Sequence, residues 1–132
     1  METFMLVPTE RCGDLDFLAD RKTVRETLGK HKKFFKSKSS ENSTDDFGFC
    51  HAFYSPADQL IAIEFFPEAE LHYNGQELFE LTAAELVKLL TTKDTATTAD
   101  DYAITSKKLG ISAEIDEGEI KSILACRADY FN

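Results

Sequence analysis

Nothing in this chain is long or apolar enough to read as a membrane-spanning segment. The longest apolar run, LIAIEFF at 60–66, contains Glu64 and falls far short of the roughly 20 residues a spanning helix needs. Tryptophan is absent. The three cysteines, Cys12, Cys50 and Cys126, are odd in number, widely spaced and without a C-x-x-C pair, so neither a disulfide framework nor a zinc site is indicated. The six glycines are scattered singly, which leaves no phosphate-cradling loop, and neither G-x-S-x-G nor H-E-x-x-H occurs. Glu2 stands where a secretory leader places basic residues, and the apolar patch behind it stops at Pro8. Together these absences predict a cytoplasmic chain that is not an enzyme and carries no metal or cofactor.

What is present describes a globular domain. Hydrophobic residues make up 42% of the chain and eleven are Phe, enough to build a core over 1–132 without staples. The net charge of −9 is unevenly spread: residues 1–44 carry nine Lys/Arg against seven Asp/Glu, and 45–132 carry six against seventeen. Such an acidic body repels phosphate backbones and favours partners with a basic surface, so a protein partner is expected and nucleic acid is not. The exception is KHKKFFKSKS at 30–39, which reads as a solvated helix end and loop, with a strip for an anion or nucleic acid as the alternative.

The order of elements suggests a doubling. DRKTVRETLG at 20–29 predicts a helix capped by Asp20 and ended by Gly29, with Val24, Thr27 and Leu28 on one face. LTAAELVKLL at 81–90 predicts a second, opened by a Thr82/Glu85 capping box. Small hydroxyl residues in 37–44 and 91–99 read as loops, and each loop leads to an acidic pair with an aromatic, DDF at 45–47 and DDY at 100–102. Alternation then predicts strands at 47–55 and 59–66, and again from Tyr102 and at 120–128. Further strands are expected at 13–19 and 69–81, where Asn74-Gly75 signals either a type I′ hairpin or a tight bend before the helix. The fold expected is α+β: two degenerate β-α-β-β repeats, about 13–66 and 69–128, forming one antiparallel sheet with two short helices on one face.

The helix ending in Leu28-Gly29, the loop, and paired strands whose return carries an apolar-x-x-Ile pattern (Leu60 with Ile63, Ile120 with Ile123) resemble the tandem βαββ modules of small bacterial proteins. Examples are the β-lactamase inhibitor protein fold and the BamE-like domains. The resemblance is one of pattern and carries no functional motif. It implies a sheet surface that grips another protein.

Candidate residues follow from this scheme. If the repeats are pseudo-symmetric, Asp45, Asp46, Asp100 and Asp101 could flank one sheet edge and attract a cation or a basic partner, although loop capping or turn initiation is the simpler role for them. Tyr54 and the terminal Tyr130 and Phe131 are candidate aromatic anchors. Cys50-His51 resembles a thiol with its base, but adjacent strand residues point to opposite faces. His51, Glu64 and His72 are the polar groups best suited to a small-ligand pocket, should the sheet bring them together. The function expected is a protein-binding module, with an immunity or inhibitor protein that presents an acidic, aromatic surface as its specific form. A small enzyme or ligand-binding protein is the alternative.

Overall fold

Both helices form where the capping signals stand. In the computed structural model, which describes residues 3–36 and 40–131, α1 (Arg21–Leu28) opens on Asp20, whose carboxylate accepts the Thr23 amide at 2.8 Å, and ends at Gly29. Residues 37–39, part of the expected loop and of the basic run, lie outside the described residues. α2 (Ala83–Lys93) opens on the capping box: the Glu85 amide donates to Thr82 Oγ1 at 3.1 Å, and the Thr82 amide donates to Glu85 Oε1 at 2.9 Å. It runs three residues into the segment expected as loop, because the Thr92 hydroxyl bonds back to the Leu89 carbonyl at 2.6 Å instead of competing with the helix.

The strands are β1 (Thr3–Val7), β2 (Arg11–Cys12), β3 (Leu15–Asp16), β4 (Lys32–Phe34), β5 (Thr44–Asp46), β6 (Cys50–Tyr54), β7 (Leu60–Phe65), β8 (Glu70–Tyr73), β9 (Gln76–Glu77), β10 (Thr98–Ala99), β11 (Ala103–Ser106), β12 (Ile111–Asp116) and β13 (Glu119–Cys126). They make an α+β fold with two sheets rather than the single one expected. The long sheet has the order β10-β11-β12-β13-β7-β6-β5-β4 and is antiparallel throughout; the short one runs β3-β2-β1-β8-β9. The short sheet contains the parallel pair β1–β8, with Phe4 opposite Leu71, and so departs from the antiparallel expectation. Asn74-Gly75 proves to be the hairpin between β8 and β9, both residues having positive φ (53° and 78°). The basic run is not a helix end. Residues 32–34 form the edge strand β4, and lysines at an edge hinder unwanted strand pairing.

One face of the long sheet is core. Ala52, Ile63, Phe65, Ile104, Ile111 and Ile123 join Val24 of α1, Leu86 and Leu90 of α2, and Phe4 and Leu71 of the short sheet in one apolar cluster. Residues alternating with these point the other way. There Phe53, Ala62 and Cys126 form a small separate cluster, on which Leu124, Tyr130 and Phe131 pack. No helix of the described residues is long and apolar enough to cross a membrane.

Candidate functional site

The face of the long sheet turned away from the helices carries the polar chemistry. Strand register places Asp46 opposite His51, His51 opposite Glu64, Glu64 opposite Leu124, and Leu124 opposite Ser112, a row across five strands. The neighbouring row holds Ser122 opposite Glu114. His51 Nε2 lies 3.4 Å from Asp46 Oδ1, and Nδ1 lies 4.0 Å from Glu64 Oε1. Phe34 and Phe66 each make an edge-type contact with its ring, at centroid distances of 5.1 and 4.9 Å. The Ser122 hydroxyl is placed to donate to Glu64 Oε2 at 2.8 Å and to Glu114 Oε2 at 3.3 Å.

Two shallow grooves flank this network and share Lys36 and Phe53. One, about 220 Å³, is bordered by Glu64, Glu114, Ser122, Leu124 and Tyr102; the other, about 280 Å³, reaches Asn42, Ile61 and Tyr130. Lys36 Nζ sits 4.9 Å above the Phe53 ring. Tyr102 is 77% exposed. Burial holds the Tyr130 phenol above its ordinary value, with Cys126 and Glu64 adding in the same direction, and burial pushes the Cys126 thiol up to about 12.

The candidates read from the sequence fall into three groups. Asp45 is fully buried and its carboxylate is taken up inside the fold: Arg25 Nε and Nη2 grip it at 2.8 and 2.9 Å, and the Tyr54 hydroxyl donates to it at 2.9 Å. Tyr54 is buried with it, beneath the Arg21 guanidinium 4.0 Å from its ring centroid, and so is no exposed anchor either. Asp100 and Asp101 do not share an edge with Asp45 and Asp46. They adjoin β10 and β11 at the far side of the sheet, about five strand spacings or roughly 24 Å from β5. There Asp100 accepts the amides of Tyr102 and Ala103 at 2.8 and 2.9 Å, a turn-forming role.

Asp46, Tyr130 and Phe131 do reach the open face, as do His51 and Glu64. His72 does not join them. It lies in β8 of the short sheet, with Nε2 3.3 Å from Glu70 Oε2. Cys50 and His51 point to opposite faces, as alternation requires. Sequence reading missed Glu114, Ser122, Lys36 and Tyr102. The alternation along 111–115 held a signal for Glu114; Ser122 reaches the face only through the register shift beside it.

A larger cavity, about 630 Å³, lies elsewhere, between Arg11, Asp16, Leu18, Arg127 and Asp129. Two residues on its wall, Thr9 and Leu18, have positive φ (64° and 79°) although neither is glycine. Among the described residues no group of three or more His, Cys, Asp or Glu could hold a metal ion. No protein-family model, curated protein or solved structure matches this chain.

Proposed function

We propose that the chain is a non-enzymatic protein-binding module whose open sheet face holds a partner with a basic surface, in the manner of a cytoplasmic bacterial immunity or inhibitor protein. One observation carries this reading: an eight-stranded sheet leaves one face free of helices, and that face combines carboxylates (Glu64, Glu114, Asp46) with aromatic and aliphatic side chains (Phe53, Tyr102, Leu124). Acidic groups steer a basic partner, and aromatics supply the contact area that anchors it. The grooves on this face are smaller than the roughly 300–1,000 Å³ typical of small-molecule sites, a scale that suits single side chains of a protein.

The proposal keeps two degenerate β-α-β-β units, about 13–66 and 69–128, in the style of the tandem βαββ proteins. It is supported by a strand order that descends in the same way on both sides of the central β7–β13 pair. The expected result of a pull-down from the source organism at low salt is a basic protein that is released at high salt. Tyr102→Ala with Glu114→Lys, both exposed positions, abolishes its capture. Absence of a partner at either salt, or capture indifferent to these substitutions, overturns the reading.

The cavity walled by Thr9 and Leu18 favours a second reading, a small-ligand site, since strained non-glycine backbone gathers at ligand clamps. Native mass spectrometry of the purified protein decides it. A small-molecule adduct lost on Leu18→Asp supports this reading, and a bare mass in the presence of cell extract removes it.

A further inference from the structure

We propose that the groove between Phe53 and Glu114 is a receptor for one arginine side chain of the partner, and that Lys36 keeps its place in the free protein. This rests on the protein-binding reading above and specifies what the face recognises.

The first argument is that two carboxylates share one protein donor, with water meeting the rest of the demand at the exposed Glu114. The Ser122 hydroxyl has one hydrogen, and two carboxylate oxygens lie within its reach, at 2.8 and 3.3 Å. When Glu64 takes it, Glu114 is left without a donor from that serine. A guanidinium brings five N–H groups in a planar fork and serves both carboxylates at once.

The second argument is independent of the acids. The chain already places a cation in this groove: the Lys36 ammonium rests over the Phe53 ring. An aromatic face attracts cations through its quadrupole, so the ring shows by its own occupant which chemistry it accepts. Lys36 is exposed and lies at the edge of the groove, so an incoming side chain can displace it. Arginine is preferred to lysine because a planar guanidinium stacks on the exposed Tyr102 ring, or on the buried Phe53 once Lys36 has left it, while its fork faces carboxylates, whereas an ammonium is a strongly hydrated point charge. The volume of about 220 Å³ fits one side chain and not a folded ligand.

The test is an amide chemical-shift titration of the full chain with a capped Gly-Arg-Gly peptide, beside a capped Gly-Lys-Gly peptide and a citrulline counterpart, which has the same shape without the charge. The arginine peptide is expected to shift Phe53, Glu64, Glu114, Ser122 and Leu124, and the citrulline peptide to bind at least tenfold more weakly. Lys36→Ala strengthens arginine binding about two- to fivefold, the factor matching an exposed cation–π contact. The double variant Glu64→Gln, Glu114→Gln weakens it about tenfold or more, while undisturbed core amides report an intact fold. Equal binding of citrulline or of Gly-Lys-Gly, shifts centred elsewhere, no shifts at millimolar peptide, or weaker binding by Lys36→Ala overturns the proposal. A partner whose capture depends on Tyr102 but survives the double glutamine variant would leave the protein-binding reading standing while removing the arginine receptor.

Discussion

Asp45→Ala is expected to lower the free energy of unfolding by about 2–3 kcal/mol, less than the roughly 3–5 kcal/mol for breaking a fully buried ion pair, because Arg25 is partly exposed and can turn to water. The carboxylate is fully buried and held by two Arg25 nitrogens and the Tyr54 hydroxyl, with Arg21 Nε 3.8 Å away. Arg21 is itself fixed to Ser43, by Nη1 on the hydroxyl at 2.9 Å and by Nη2 on the carbonyl. Asp45 therefore ties α1 to β5 and β6, and its loss leaves Arg25 and Tyr54 without their shared acceptor and takes away a negative charge beside Arg21. Since a domain of this size is stable by about 5–15 kcal/mol in all, the loss should be plain in a urea titration as a lower midpoint with an unchanged slope. A shift of less than about 0.5 kcal/mol, the range of an ordinary surface change, would show that Asp45 is not structural.

The same residue sets a pH signature. Burial would raise the Asp45 carboxyl, but hydrogen bonds from Arg25 and Tyr54, with the charges of Arg21 and Arg25, hold it below its ordinary value. A carboxyl depressed by folding contributes stability above its unfolded value, near 3.9, and that contribution fades as pH falls through the folded value. The wild type should therefore lose this contribution below about pH 4, while the alanine variant, already lacking it, shows a shallower acid decline.

Aspartate is almost always exposed unless paired, and the partners of Asp45 lie twenty and twenty-four residues upstream, on a helix with little apolar surface. In α1 only Val24 is buried, and Arg21 and Arg25, one turn apart, face inward to the acid. Helix α1 is thus docked largely by charge, a mode that hydrophobic periodicity does not register. Local signals did better. The Asp20 and Thr82 caps, the alternation along β6 and β7, and the Asn74-Gly75 turn each depend on neighbours within a few residues, and each was legible. Sheet membership was not, because pairing Thr3 with Glu70 depends on contacts between distant segments.

Counting back from the hairpin that pairs Asp116 with Glu119 would set Lys121 opposite Glu114, a self-neutralising pair. A register shift between Glu114 and Ile115 instead brings Ser122 opposite, and turns Lys121 to Glu119 at 2.9 Å. One added residue in a strand thus converts a closed ion pair into two carboxylates sharing a single hydroxyl. Alternation finds the face; only the bulge decides what stands on it.

Gly110→Ala is the second large effect expected, about 3–5 kcal/mol, for reasons that combine backbone and space. Gly110 is buried between β11 and β12 at a φ of 63°, where an alanine costs roughly 1–2 kcal/mol. A methyl there would lie 2.4 Å from the Cys126 carbonyl oxygen and 3.3 Å from Thr9 Cγ2. The first neighbour is backbone, held in place because the Cys126 amide bonds the Gly110 carbonyl at 2.9 Å, and the segment beyond it pairs Arg127 with Thr9. The clash cannot be relieved by rotating a side chain, so the end of β13 or the Thr9 turn must move. Gly48 supplies the control: its φ is 87°, but nothing lies within 4 Å of an added methyl, so Gly48→Ala bears the backbone cost alone. The gap between the two alanine variants in urea measures the close approach of three chain segments, and equal losses would mean that Gly110 is fixed by its turn and not by its neighbours.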